Sequence, residues 1–245
     1  MKTINASGIH YKQLNEQIDE IIKTEPRISL DNVFGQRYIG RGLASKVKIK
    51  INGIPGNDLA AYMDGAEIEI FGNAQDAVGN TMNDGQIIIH GSCGDTTGYA
   101  MRGGSIYIEG SAGYRVGIHM KEYQEMKPTI VIGSKAGDFL GEYMAGGNII
   151  LLGLNLKKDE QLLGKYCGTG MHGGAIYING NPEDFRLGKE ASKTPLTEQD
   201  IILLNKHIEA YCKHFKKDAS LIKPEKFSKY CALNKNPYKN MYCKI

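Results

Sequence analysis

The chain has 245 residues, a net charge of +3 and five cysteines, an odd number with no Cys-x-x-Cys pair. That excludes a disulfide framework and a cysteine cradle for an iron–sulfur cluster. No stretch approaches 18 consecutive apolar residues and Met1-Lys2-Thr3-Ile4-Asn5 has no apolar run, so neither a membrane span nor a signal peptide is predicted and a cytoplasmic location is expected.

In chain order, the first element is a short amphipathic helix. Leu14, Ile18 and Ile21 form its stripe after Ser7-Gly8, and Pro26 ends it. Residues 1–30 therefore read as an N-terminal helical or strand cap.

From Gly53 onward the chain repeats. Gly53, Gly72, Gly91 and Gly110 are spaced by 19 residues, and the series continues less regularly through Gly133, Gly153 and Gly180. Each closes a short aliphatic strand. Two and four residues before these glycines stand Ile51 and Ile49, Ile70 and Ile68, Ile89 and Ile87, Ile108 and Ile106, Val131 and Thr129, Leu151 and Ile149, and Ile178 and Ile176. Alternate residues of a strand share a face, so these pairs predict a stacked apolar ladder inside a solenoid. A second series precedes the strands: Gly79, Gly98, Gly117, Gly141 and Gly168, each followed three residues later by Met82, Met101, Met120, Met144 or Met171. The glycines read as corners that need positive φ, and the methionines as an internal stack. Seven coils predict an all-β core, a single-stranded parallel β-helix over residues 31–181.

Two coils are too long. Residues 121–127 and 154–167 are expected to leave the rod as loops, with Tyr123 among the contacts to a partner or a second copy. The outward positions become apolar along the rod, and Ile130, Ile132, Ile150 and Leu152 would form a patch that something must cover. Residues 182–245 read as a C-terminal helical extension. Thr197 with Asp200 marks a helix start, and Ile201, Leu204, Ile208, Tyr211 and Phe215 form a stripe suited to that patch. Residues 181–245 hold 13 Lys and Arg against 8 Asp and Glu, spread singly among apolar residues, which suits a protein contact better than nucleic acid.

No catalytic, metal-binding or cofactor-binding set emerges. Glu67 and Glu69 share an outward face with no convergent partner, and Asp95 and Asp138 follow glycine as turn residues. Cys93 occupies the small-residue position of Ala74 and Ala112 and reads as a core thiol. Cys212, Cys231 and Cys243 share the tail with His207 and His214 at spacings that match no ligand pattern.

Asn32-Val33-Phe34-Gly35-Gln36-Arg37-Tyr38-Ile39-Gly40-Arg41-Gly42-Leu43, followed by Gly-x-Ile-x-Ile-x-Gly coils, resembles the GXGXG domain that ends the large subunit of glutamate synthase, in its free-standing form. The resemblance implies a right-handed β-helix packed between a glutamine-hydrolysing amidotransferase and a flavin and iron–sulfur synthase. FMN and the clusters would sit on those partners and none on this chain. One of the subunits of formylmethanofuran dehydrogenase has a similar repeat and is the alternative, beside a self-contained binding or carbohydrate-active β-helix.

Overall fold

The computed structural model describes residues 1–44 and 46–234. In chain order it contains β1 (Lys2–Asn5), α1 (Tyr11–Ile22), β2 (Arg27–Phe34), β3 (Lys48–Ile54), β4 (Asp64–Phe71), β5 (Asp84–Ile89), β6 (Ser105–Ile108) and β7 (Thr129–Ile132). It continues with β8 (Ala145–Leu151), β9 (Gly173–Asn179), β10 (Ala191–Thr194), α2 (Glu198–Phe215) and β11 (Phe227–Ala232). Strands β1 to β9 pair in parallel in chain order, one per coil, as a β-solenoid demands. The ladder starts earlier than the glycine series, because β2 pairs with β3 through Ile28↔Ile49 and Leu30↔Ile51. It thus crosses the boundary expected at residue 31.

The inner face is the predicted isoleucine stack, fully buried from Ile28 to Ile178. The methionine series lies inside it, with Met63, Met82, Met101, Met120, Met144 and Met171 all at 0% exposure. Helix α1 plugs the N-terminal end with Leu14 and Ile18, and Tyr230 of β11 plugs the other.

One register differs from expectation. Ile106 pairs with Ile130 and Ile108 with Ile132, so Ile130 and Ile132 point inward and Val131 points out. Ser134, whose N–H donates to the Gly110 carbonyl at 2.9 Å, takes the place of the closing glycine. Gly133 instead falls where Glu109 stands in the coil before, and a Cβ there would collide with the Glu109 carbonyl and the Tyr211 hydroxyl. Its role is clearance for α2.

The wall opposite the strands is a backbone ladder of another kind. In each coil three alternate residues are left-handed, for example Ala77, Gly79 and Thr81, then Thr96, Gly98 and Ala100, then Arg115, Gly117 and His119. Their N–H groups point alternately along the rod. Thr96 and Ala100 donate to Tyr114 and Ile118 of the following coil, whereas Gly98 donates to Val78 of the preceding one. Only the middle residue faces the core, where a Cβ on Gly117 would lie 2.6 Å from Ile149 Cδ1. Glycine is needed there for close approach as well as for φ.

Acidic and amide side chains stitch a third edge. Asp76 Oδ1 accepts the Asp95 N–H at 2.9 Å, Asp95 Oδ1 accepts the Tyr114 N–H at 2.8 Å and Asp138 Oδ1 accepts the Lys165 N–H at 2.7 Å. Asp95 and Asp138 stand in turns, as their Gly-Asp context suggested, but their side chains bond to the following coil and not back to their own. Cys93 bridges Ala74 and Ala112 as expected of a core thiol.

Candidate assembly surface

The outer face of β5 to β9 is apolar because α2 lies on it. Ile88, Tyr107, Val131, Ile150, Leu152 and Tyr177 pack against Leu204, Ile208, Tyr211 and Phe215 in a second core. Ile150 and Leu152, expected as an interface, are each 0% exposed and belong to this seam. With Ile130 and Ile132 turned inward, the predicted patch is closed within the chain. Ile201 is only partly buried, so the stripe is carried by the other four residues.

Polar groups fix the helix at both ends. Thr197 and Asp200 form a capping box, and buried Asp200 also accepts from Tyr177 Oη at 2.6 Å and Lys229 Nζ at 2.8 Å. Burial pushes the Asp200 carboxyl up, but hydrogen bonds from Lys229, Tyr177 and Thr197 outweigh it and hold the group at about 2. Mid-helix, Tyr107 Oη lies 3.0 Å from His207 Nδ1. Burial, with Lys206 nearby, pulls His207 down to about 4, so the ring is neutral.

At the last turn of α2 the structure supplies what the sequence hid. Glu69 Oε1 lies 2.9 Å from His90 Nε2, and Lys217 Nζ lies 3.0 Å from Glu109 Oε1. The His90 ring stacks on Phe71 at 4.5 Å and meets the edge of Phe215 at 5.1 Å. Glu67 pairs with Lys48 at 2.9 Å. Both glutamates therefore have partners, contrary to expectation: one coil of offset along the ladder places a complementary residue beside each. Lys48–Glu67 and Glu69–His90 tie neighbouring coils, while Lys217–Glu109 and the Phe215 ring against His90 clamp the helix end to the sheet.

Three of the thiols are buried. Burial pushes Cys93 and Cys167 up to about 12, and it also raises Cys212. Cys231 lies in β11 and Cys243 lies outside the described residues. Among the described residues no three His, Cys, Asp or Glu side chains converge to hold a metal ion.

What remains open is the wall of left-handed residues. Their alternation sends the flanking side chains outward, where Tyr143 is 38% and Tyr166 49% exposed, and Tyr99 and Tyr114, each next to a left-handed residue, are 40% and 52% exposed. His119 stacks on Tyr143 at 5.4 Å, Phe139 stacks on Tyr166 at 5.0 Å, and the Arg115 guanidinium sits 4.7 Å over Phe139. Tyr99 meets His119 edge-on at 5.9 Å, so the rings engage one another along successive coils. With their faces partly taken up by neighbouring rings, they suit a protein contact better than a sugar or base seeking a free ring face. Residues 121–127 leave the rod as a small turn closed by Tyr123 and Met126, with Tyr123 52% exposed. Of the second insertion only 154–162 leaves the rod, since Leu163 bridges back to Ala136 and Cys167 is buried. The aromatic wall was readable in part: Phe139, Tyr143 and Tyr166 keep a fixed two-residue offset from Gly141 and Gly168.

The family model described as GXGXG motif matches residues 12–233. An uncharacterized protein of Methanocaldococcus jannaschii is 48% identical over 248 residues, covering 98% of this chain and 95% of the relative. A chain in the crystal structure of the formyltransferase/hydrolase complex from Methylorubrum extorquens, in complex with methylofuran, matches with a TM-score of 0.63 at 22% identity. That likeness covers 90% of this chain and 87% of the other, and it extends to the fold.

Proposed function

The chain belongs to the GXGXG motif family, and from that premise we propose that it is a non-catalytic scaffold subunit of a glutamate synthase-type oxidoreductase. In this reading it holds an amidotransferase subunit against a synthase subunit in the cytoplasm. FMN and iron–sulfur clusters reside on the synthase partner; among the described residues the four thiols, three of them buried, do not gather into a cluster cradle. The single observation that carries the reading is the division of the surface: Glu69, His90 and Glu109 on the sheet face beside α2 are spent in internal pairs, while the aromatic wall stands open. Among the described residues no helix is long and apolar enough to cross a membrane.

The fold likeness to a chain of a formyltransferase/hydrolase complex favours a second reading, a scaffold similar to the coil-repeat subunit of formylmethanofuran dehydrogenase. Recovery of the tagged chain from its own cells separates the two. The first reading expects a coloured flavin and iron–sulfur polypeptide and a glutamine-hydrolysing one to co-purify, with glutamine-dependent glutamate formation that falls when this chain is removed. Formyl-transferring partners would support the second reading. A chain recovered alone would sink both and favour a self-contained binding β-helix.

A further inference from the structure

The two ends of the sheet are finished differently. Both edge strands are four residues long with an exposed lysine, Lys2 in β1 and Lys193 in β10, but only β10, at the C-terminal end, runs into a proline, Pro195, which blunts that edge. At the other end β1 pairs with β2 alone. The Ala6 N–H donates to the Asp31 carbonyl at 2.8 Å, which sets the phase of the strand. Even-numbered residues bond to β2, so the N–H and C=O of Thr3 and Asn5 are directed to the open edge.

A groove of about 670 Å³ runs along that edge between β1 and α1. Its helix side offers the carboxylate of Glu16 and, beside it, that of Glu20, which shares an exposed ion pair with Lys23 at 2.6 Å, and Ile9 and Ile21 supply aliphatic surface. A strand seated there needs, on its core-facing side, a basic residue and an aliphatic one two positions apart. β1 has that pattern itself, because Lys2 and Ile4 pair with the inward Ile28 and Leu30. We propose that this edge binds the β1 edge of a second copy of the chain, antiparallel, so that two sheets become one.

The phase limits the register to outward residues facing outward residues. Of those registers, Thr3 opposite Asn5 pairs both outward residues of each strand, and it places Ile4 opposite Ile4 on the two-fold axis and Lys2 opposite Ala6. Lys2 of the second copy then enters the groove toward Glu16 and Glu20. The pairing is isologous and leaves the aromatic wall of both copies open.

Sedimentation equilibrium of the full chain over a wide concentration range tests this, with melting temperatures taken where the parent is monomeric. The expected result is a monomer–dimer equilibrium. Thr3→Pro removes an outward N–H at a position where an edge strand tolerates proline, and should weaken the dimer about tenfold or more with the melting temperature kept. Lys2→Glu should weaken it too, and adding Glu16→Lys and Glu20→Lys should restore it. A monomer at every concentration overturns the proposal, as does a dimer indifferent to Thr3→Pro. A monomer that captures another polypeptide only when Thr3 is intact also overturns it, by giving the edge to that polypeptide.

Discussion

Gly133→Ala tests how α2 is seated. The backbone at 133 lies outside the left-handed range, so an alanine costs nothing through φ and everything through space. Its methyl would fall on the Glu109 carbonyl oxygen and the Tyr211 hydroxyl. The carbonyl belongs to the backbone just past β6, where the Glu109 N–H is bonded to the Ile89 carbonyl at 2.9 Å, so the tyrosine side chain is the freer of the two to move. That breaks the Tyr211 Oη to Glu109 O hydrogen bond of 3.1 Å, worth about 1 kcal/mol, and forces a ring at 0% exposure to repack at roughly 1–3 kcal/mol. The sum is about 2–4 kcal/mol, or roughly 2–4 °C in melting temperature for each kcal/mol in a chain this long. Urea unfolding of Gly133→Ala, Tyr211→Phe and the double variant measures it. The reasoning expects coupling of about 1 kcal/mol, because removing the hydroxyl first vacates part of the space. A stable Gly133→Ala, or zero coupling, would refute the seating of Tyr211.

Gly98→Val should cost well over about 1 kcal/mol, since φ is +72° and the new Cβ meets Ile130 Cδ1; equal melting temperatures would count against it. Deleting residues 196–245 should expose Val131, Ile150, Leu152 and Tyr177 and cause aggregation, which light scattering would detect, whereas a soluble monomer melting like the parent would not fit. Acid should loosen α2. His207 falls from its ordinary 6.5 to about 4 in the fold, so the unfolded chain binds more protons between those values and stability is lost as pH drops through that window. At pH 5 the loss is about 2 kcal/mol. Chemical denaturation of the parent and of His207→Leu at pH 7 and pH 5 reads it, and an equal slope in both would contradict the assignment.

The ladder was legible because its inner positions repeat in identity as well as in spacing, Ile68 to Ile108 being the clearest run. Gly133 misled because an unrelated constraint, the Tyr211 hydroxyl, demands the same residue one position early. β2 escaped the series for the opposite reason: a bulge with left-handed Asn32 follows Leu30 where later coils have a closing glycine. β10 and β11 run antiparallel to their neighbours and share no period with the coils, so no spacing announces them. The His90 cluster joins residues 21 apart on neighbouring strands to a helix end more than a hundred residues on, contacts that depend on register and on where α2 lies down.

The alternating left-handed wall has a mechanical consequence. Because its N–H groups bond alternately to the coil before and the coil after, each coil is fastened to both neighbours on two sides, and the rod has no soft joint between strands and turns. A body built this way acts as a ruler graduated in whole coils. Gain or loss of one 19-residue coil would change the separation of its ends by about 4.8 Å, while the chemistry displayed along its side carries on in register. Proteins gripping its two ends would be set apart in fixed increments, with no intermediate spacing available to them.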